Sequence, residues 1–168
     1  TLPMFRAACW PVQPVLNGPA ARIALIHAAD VASAVVAAAR PSMPAGTWEL
    51  TDARAQGYTW PEIAAAACRA CGGAARPLRV PAPVLALAGM CGDLAALAGA
   101  TPMLTSGKAR EILHPDWGSC AESQPPATLW RPVRDIEDGF AQTAMWYRAA
   151  GWLPGGATGG TRTAEVTK

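Results

Sequence analysis

Apolar and polar positions change rhythm several times along this chain, and the changes mark out its elements. The opening, residues 1–21, carries four prolines and no sustained period, which predicts irregular chain crossing a surface. Arg22 to His27 is a short apolar run that reads as a buried strand. Asp30 then sits at a natural N-cap, where a carboxylate accepts from free helix amides, and the alanine–valine run to Arg40 reads as a small-residue helix able to pack close to a sheet. Pro41 to Gly46 is a turn, and Thr47 to Thr51 a second strand. Thr59 and Glu62 have capping-box spacing with Pro61 in the first turn, so a helix runs from there to about Ala70 and stops at Gly72-Gly73. Arg76 to Val80 gives a third short strand. A helix from about Pro83 to Leu97 follows, with a bend expected at Gly89 or Gly92. Another runs from Thr105 or Ser106 to Leu113 and ends at His114-Pro115, since the residue before proline disfavours the helical region. The last helix is capped by Asp135, runs to Ala150 and stops at Gly151.

Strands alternating with helices predict an α/β fold, α+β for the chain in isolation, rich in helix with two or three short strands. So few strands in 168 residues predict a piece that adds onto a sheet supplied by other sequence. Residues 22–153 form the folded region, and 154–168, rich in glycine and threonine, read as a disordered tail. The length is that of one domain, and 51% hydrophobic against 15% charged residues places the chain among globular proteins. A net charge of +2, with scattered arginines and only Lys108 and Lys168 as lysines, argues against nucleic-acid binding. Five cysteines, an odd number, make no disulfide framework and point to a reducing, cytoplasmic setting. From Val80 to Leu104 the chain is nearly free of charge, but Asp93 at its middle and the prolines and glycines around it favour a buried helix over a transmembrane one.

Candidate chemistry is thin. His27 and Asp30 flank a strand end and a helix start, a common place for sites in α/β proteins. His27 either faces a substrate cleft or hydrogen-bonds within the core, with Asp30 as a cap. Lys108, Arg110 and His114 are candidates for an anionic ligand. Arg110 and His114 share a helix face, and a guanidinium beside an imidazole suits a phosphate. The competing reading is a solvated face with Glu111 as counter-charge. Arg76 and Arg79 are weaker alternatives. Cys68-x-x-Cys71 has redox or metal spacing, but it falls at a helix C-terminus, where the dipole raises thiol pKa, and no second pair completes a zinc site. Structural cysteines, and no metal, are the expectation. Trp48, Trp60, Trp117, Trp130, Trp146 and Trp152 could line a groove or pin helices to a small core.

The closing third reads Trp130-Arg131-Pro132, then Asp135, Glu137, Asp138-Gly139-Phe140 and Trp146-Tyr147-Arg148. It resembles the C-terminal end of extended short-chain dehydrogenase/reductases, the NAD-dependent epimerase/dehydratase family. Three further segments are similar to that family. Leu25-Ile26-His27-Ala28-Ala29-Asp30-Val31-Ala32 resembles its Ile-His-Val-Asp-Asp-x-Ala pattern, with Ala28-Ala29 in place of Val-Asp. Gly46 to Asp52 is similar to its returning strand, and Pro102 to Trp117 to a bacterial subgroup pattern. Thr128-Leu129-Trp130 departs from the usual Leu-Gly-Trp. The resemblance covers roughly residues 20 to 153.

It implies a parent enzyme with an N-terminal Rossmann domain binding NAD or NADP, and a tyrosine acid/base helped by a lysine. Neither maps here: no G-x-x-G-x-x-G follows a strand, and neither Tyr58 nor Tyr147 has a lysine four residues on. No catalytic, cofactor-binding or metal residue is therefore carried over. The expectation is the substrate-binding part of an epimerase/dehydratase or reductase acting on a nucleotide-sugar-like or lipid-like hydroxyl or carbonyl. It would be inactive alone, its cofactor bound by a missing N-terminal half, and the resemblance implies a homodimer for the parent. The alternative is a non-catalytic relative, a binding or assembly protein.

Overall fold

The computed structural model describes residues 1–16, 18 and 20–155, so the tail expected over 154–168 lies almost wholly outside them. Among the described residues six α-helices and five short strands intermingle, which agrees with a mixed α/β chain but gives more strands than the two or three the sequence predicts. The strands form two small sheets. In the first, β1 (Val12–Val15) pairs in parallel with β4 (Arg76–Arg79), Val12 opposite Arg76 and Val15 opposite Arg79. In the second, β2 (Arg22–Ile23) lies between β3 (Tyr58–Thr59), antiparallel to it, and β5 (Asp116–Trp117), parallel to it.

The helices are set by local chemistry. Helix α3 (Trp60–Ala70) opens with the expected capping box: Thr59 Oγ1 accepts from the Glu62 amide while the Glu62 carboxylate accepts from the Thr59 amide. Those bonds, with the Arg54 guanidinium at 2.7 Å, hold the Glu62 carboxyl down to about 2. Gly72 closes the helix at φ 63°, in the left-handed region that suits glycine. Helix α6 (Ile136–Ala149) is capped by Asp135, which accepts from the Asp138 amide, and Gly151 ends it at φ 73°. Helix α3 packs on α6 and on α1 (Leu2–Ala8), so one core joins Phe5, Ala144, Tyr147 and Leu153, and a second joins Tyr58, Ile63, Ala66 and Ile136.

Four expectations need correction. The opening is not irregular throughout: Leu2–Ala8 is helical because Phe5, Ala7 and Ala8 are buried together, a signal too short for periodicity to show. Thr47 to Thr51 is not a strand. Its amides are taken by loop groups instead, Glu49 by the Ser123 carbonyl and Thr51 by the Gln124 side chain. Asp30 is not the cap of α2 (Ala28–Ala38); His27 is, its Nδ1 accepting from the Ala29 amide at 3.2 Å. Finally, α4 (Ala82–Leu97) is not a buried helix. It packs on α5 (Ser106–Leu113), and only Leu85, Gly89 and Gly92 of its residues are buried. Those two glycines lie where α5 crosses, and a Cβ on Gly92 would fall on the Leu104 carbonyl oxygen. No helix of the described residues is long and apolar enough to cross a membrane.

Candidate functional site

A cavity of about 240 Å³ opens where the chain leaving β2 meets α1 and the first turns of α6. Leu25, Ile26, Phe5, Ile136 and Phe140 give it apolar walls. The polar residues Thr1, His27, Asp52, Arg134, Asp135 and Thr143 complete its lining. The topology explains the meeting: β2 ends at Ile23, the next four residues run along the start of α6, and His27 turns the chain into α2. Gly139 makes the approach possible. A Cβ there would lie 3.3 Å from the His27 ring, closer than a side chain packs comfortably.

Because His27 Nδ1 accepts from Ala29, the neutral ring carries its proton on Nε2, which makes that nitrogen a donor. His27 thus caps α2, the role the sequence gives to Asp30, and lines the cavity. Asp30, 1% exposed, accepts from the Arg134 guanidinium at 2.8 Å and from the Val133 and Arg134 amides. It fastens the turn that carries Arg134 and Asp135 to the cavity rim.

Asp52 also lines the cavity, its amide donating to the Leu25 carbonyl at 2.7 Å. Burial pushes its carboxyl above the usual range, against the lowering effect of the Tyr58 hydroxyl at 2.7 Å and the Arg54 amide. Tyr58 is in turn pushed up by burial and by donating to Asp52. Its buried bond to Asp52 and its packing with Ile63, Ala66 and Ile136 tie Tyr58 into the core. Tyr147 shares a hydrogen bond with Thr1 Oγ1 at 2.8 Å, within the aromatic cluster of Phe5, Trp146 and Trp152.

The other candidates lie elsewhere. Lys108 pairs with Glu111 at 2.6 Å, and Arg110 is exposed on α5. His114 is extended backbone just past that helix, its ring 4.6 Å from that of Trp117, so Arg110 and His114 do not share a helical face. None of the three lines the cavity with His27. Arg79 lines a separate recess with Ala82 and Leu113. Cys68 and Cys71 are free thiols at the end of α3. Burial, then the Cys9 thiol, pushes Cys71 up to about 12. Trp130 is buried and donates to Ser33 Oγ, and Trp117 donates to the Glu111 carbonyl, so both indoles pin structure.

The described strand-to-helix turns do not fit a dinucleotide pyrophosphate, which needs free amides at a helix start. The start of α2 is closed by His27, and that of α3 by the Thr59–Glu62 box. The start of α4 carries Pro81 and Pro83, which have no amide proton.

Fold and cavity together define a mixed α/β chain with an apolar cleft lined by a few polar residues. Among curated proteins, a protein named ceramide reductase from Caulobacter vibrioides (strain NA1000 / CB15N) is 42% identical to it over 157 residues, covering 92% of this chain. The chain spans about half the length of that relative, 48%. No family model and no solved structure matches the chain.

Proposed function

We propose that this chain is the substrate-holding part of an NAD(P)-dependent reductase that acts at a hydroxyl or carbonyl carbon of a lipid-like substrate of the ceramide class. The observation that carries the reading is the 42% identity to a protein named ceramide reductase. The resemblance of Trp130 to Arg148 and of Leu25 to Ala34 to extended short-chain dehydrogenase/reductases points the same way, and adds the cofactor class. On this reading the nicotinamide cofactor and its tyrosine–lysine pair belong to sequence outside the chain, because no described turn here suits the pyrophosphate.

The cavity favours a lipid-like substrate over a nucleotide sugar. Its volume of about 240 Å³ falls below the roughly 300–1,000 Å³ of sites that enclose drug-sized ligands. Arg134, the one arginine or lysine side chain lining it among the described residues, is already paired with Asp30, so a diphosphate would lack a free guanidinium. Apolar walls with a donor at His27 Nε2 suit an alkyl segment bearing one oxygen. His27 would orient that oxygen, and Phe5, Ile136 and Phe140 would exclude water around it.

The test is equilibrium binding of a water-soluble short-chain ceramide to the purified chain, alongside His27→Asn. Asparagine keeps a cap acceptor for α2 and removes the ring donor. Saturable binding weakened about tenfold by the variant is expected, the loss of about one hydrogen bond. Binding that His27→Asn leaves untouched, or no binding by the folded wild type, would refute the assignment. Binding without reductase activity in any longer polypeptide that carries the chain would favour the non-catalytic relative.

A further inference from the structure

We propose that the α4–α5 hairpin docks tip-first on the surface of an anionic phospholipid bilayer. Helix α4 is apolar around its whole circumference, a composition that belongs to a helix covered on every side. Yet α5 covers one face, and Val84, Leu87, Met90, Leu94 and Leu97 are all exposed. Exposure is greatest toward the tip: Leu94 at 67%, Leu97 at 86%, and Met103 in the connecting loop at 78%. From Leu94 to Gly107 the chain carries no charged residue. The single acid of α4, Asp93, is turned inward, accepting from the Ser106 amide at 3.1 Å.

The chemistry behind the tip says what covers it. Lys108 and Arg110 stand in the first two turns of α5, within about 8 Å of its start along the axis, and both are exposed. At the base of the hairpin the four residues Arg76–Arg79 are exposed, and Arg79 reaches the junction of Ala82 and Leu113. From Arg76 to His114 four cations face two carboxylates, Asp93 and Glu111, so this segment carries an excess equal to the net charge of the whole chain. Long cationic side chains directly behind an uncharged aliphatic tip match a bilayer, acyl chains at the tip and phosphates at the cations. A protein interface of this size is expected to carry aromatic or arginine anchors at its centre. The exposed face of α4 has only aliphatic side chains, methionine, cysteine and alanine. The proposal rests on this surface and does not depend on the substrate reading.

The experiment is co-sedimentation of the purified chain with sucrose-loaded vesicles of phosphatidylcholine, with and without phosphatidylglycerol, with oligomeric state checked by light scattering. Wild type should sediment with the phosphatidylglycerol vesicles, and less at high salt. Leu94→Glu together with Leu97→Glu should lower the partition coefficient on the order of tenfold or more, and Lys108→Ala with Arg110→Ala by severalfold, since each cation near a charged surface contributes modestly. Neither pair should lower the thermal melt appreciably, because all four side chains are exposed and the exposed Lys108–Glu111 pair contributes little. Val133→Glu, at an exposed position on another face, should bind as wild type. A folded wild type that stays in solution with both vesicle types overturns the proposal, and so does undiminished binding by the double leucine variant. A dimer that the leucine variant splits, without vesicle binding, assigns the face to a second copy instead. Binding by residues 1–168 that is lost in a longer polypeptide carrying them assigns it to that polypeptide's other part. Both outcomes overturn the proposal.

Discussion

Replacing Asp30 by alanine should loosen the cavity rim, and the size of the effect follows from what the carboxylate holds. Asp30 is 1% exposed and Arg134 29%, with 2.8 Å between Oδ1 and the guanidinium. The second oxygen accepts from the Arg134 amide at 3.0 Å and, more weakly, from the Val133 amide at 3.3 Å. Breaking a fully buried pair by removing one partner costs about 3–5 kcal/mol. Here the guanidinium keeps some contact with water and with the Gln142 side chain, which lowers the cost. About 3 kcal/mol is expected for Asp30→Ala, and about 1–2 kcal/mol for Asp30→Asn, which keeps an acceptor. In a chain of this length that loss lowers Tm by roughly 6–12 °C. Urea unfolding followed by circular dichroism measures it, and the double variant with Arg134→Ala should cost less than the two single changes added. A loss below about 1 kcal/mol for Asp30→Ala, or strict additivity, would refute the clamp.

The remaining predictions concern titration, packing and thiol chemistry. Glu62 is depressed in the folded state to about 2 from 4.5, so its contribution is present above pH 4.5 and lost as pH falls toward 2. Glu62→Gln should flatten that acid limb in pH-dependent melts. Asp52 is shifted the other way, so its ionised form opposes folding and protonation relieves it. Asp52→Asn should therefore cost little or stabilise at neutral pH, and a loss above about 2 kcal/mol would contradict the burial argument. Gly92→Ala should cost about 1–3 kcal/mol in thermal melts by driving a methyl group into the Leu104 carbonyl. A thiol reagent at neutral pH should label exposed Cys91 and Cys120 first and Cys71 much more slowly, read by peptide mapping.

What the sequence revealed was mostly local. The Thr59–Glu62 box, the Asp135 cap and the Gly72 and Gly151 stops each rest on groups within four residues, so spacing alone exposes them. The Thr47–Thr51 strand failed because pairing depends on a neighbour that no local pattern reveals. His27 and Asp30, three residues apart, can each cap a helix. What decides between them is Arg134, 104 residues away, which takes Asp30 for an ion pair. His27 was legible as a cleft residue from its place between strand and helix. Arg134, Asp135, Asp52 and Thr143 were not, since nothing near them in sequence marks them as cavity-lining. Arg110 and His114 were paired by helical spacing, although Pro115 already ends that helix before His114. The uncovered face of α4 went unread because an apolar run looks the same whether its partner is a core or a lipid.

The measurement that tests the account most directly is calorimetric titration of NADH and NADPH into residues 1–168 shown to be folded. No saturable heat is expected with either dinucleotide, because the described turns into α2 and α3 are capped by side chains and that into α4 carries two prolines. Saturable micromolar binding would contradict it, and would place a cofactor site within this chain.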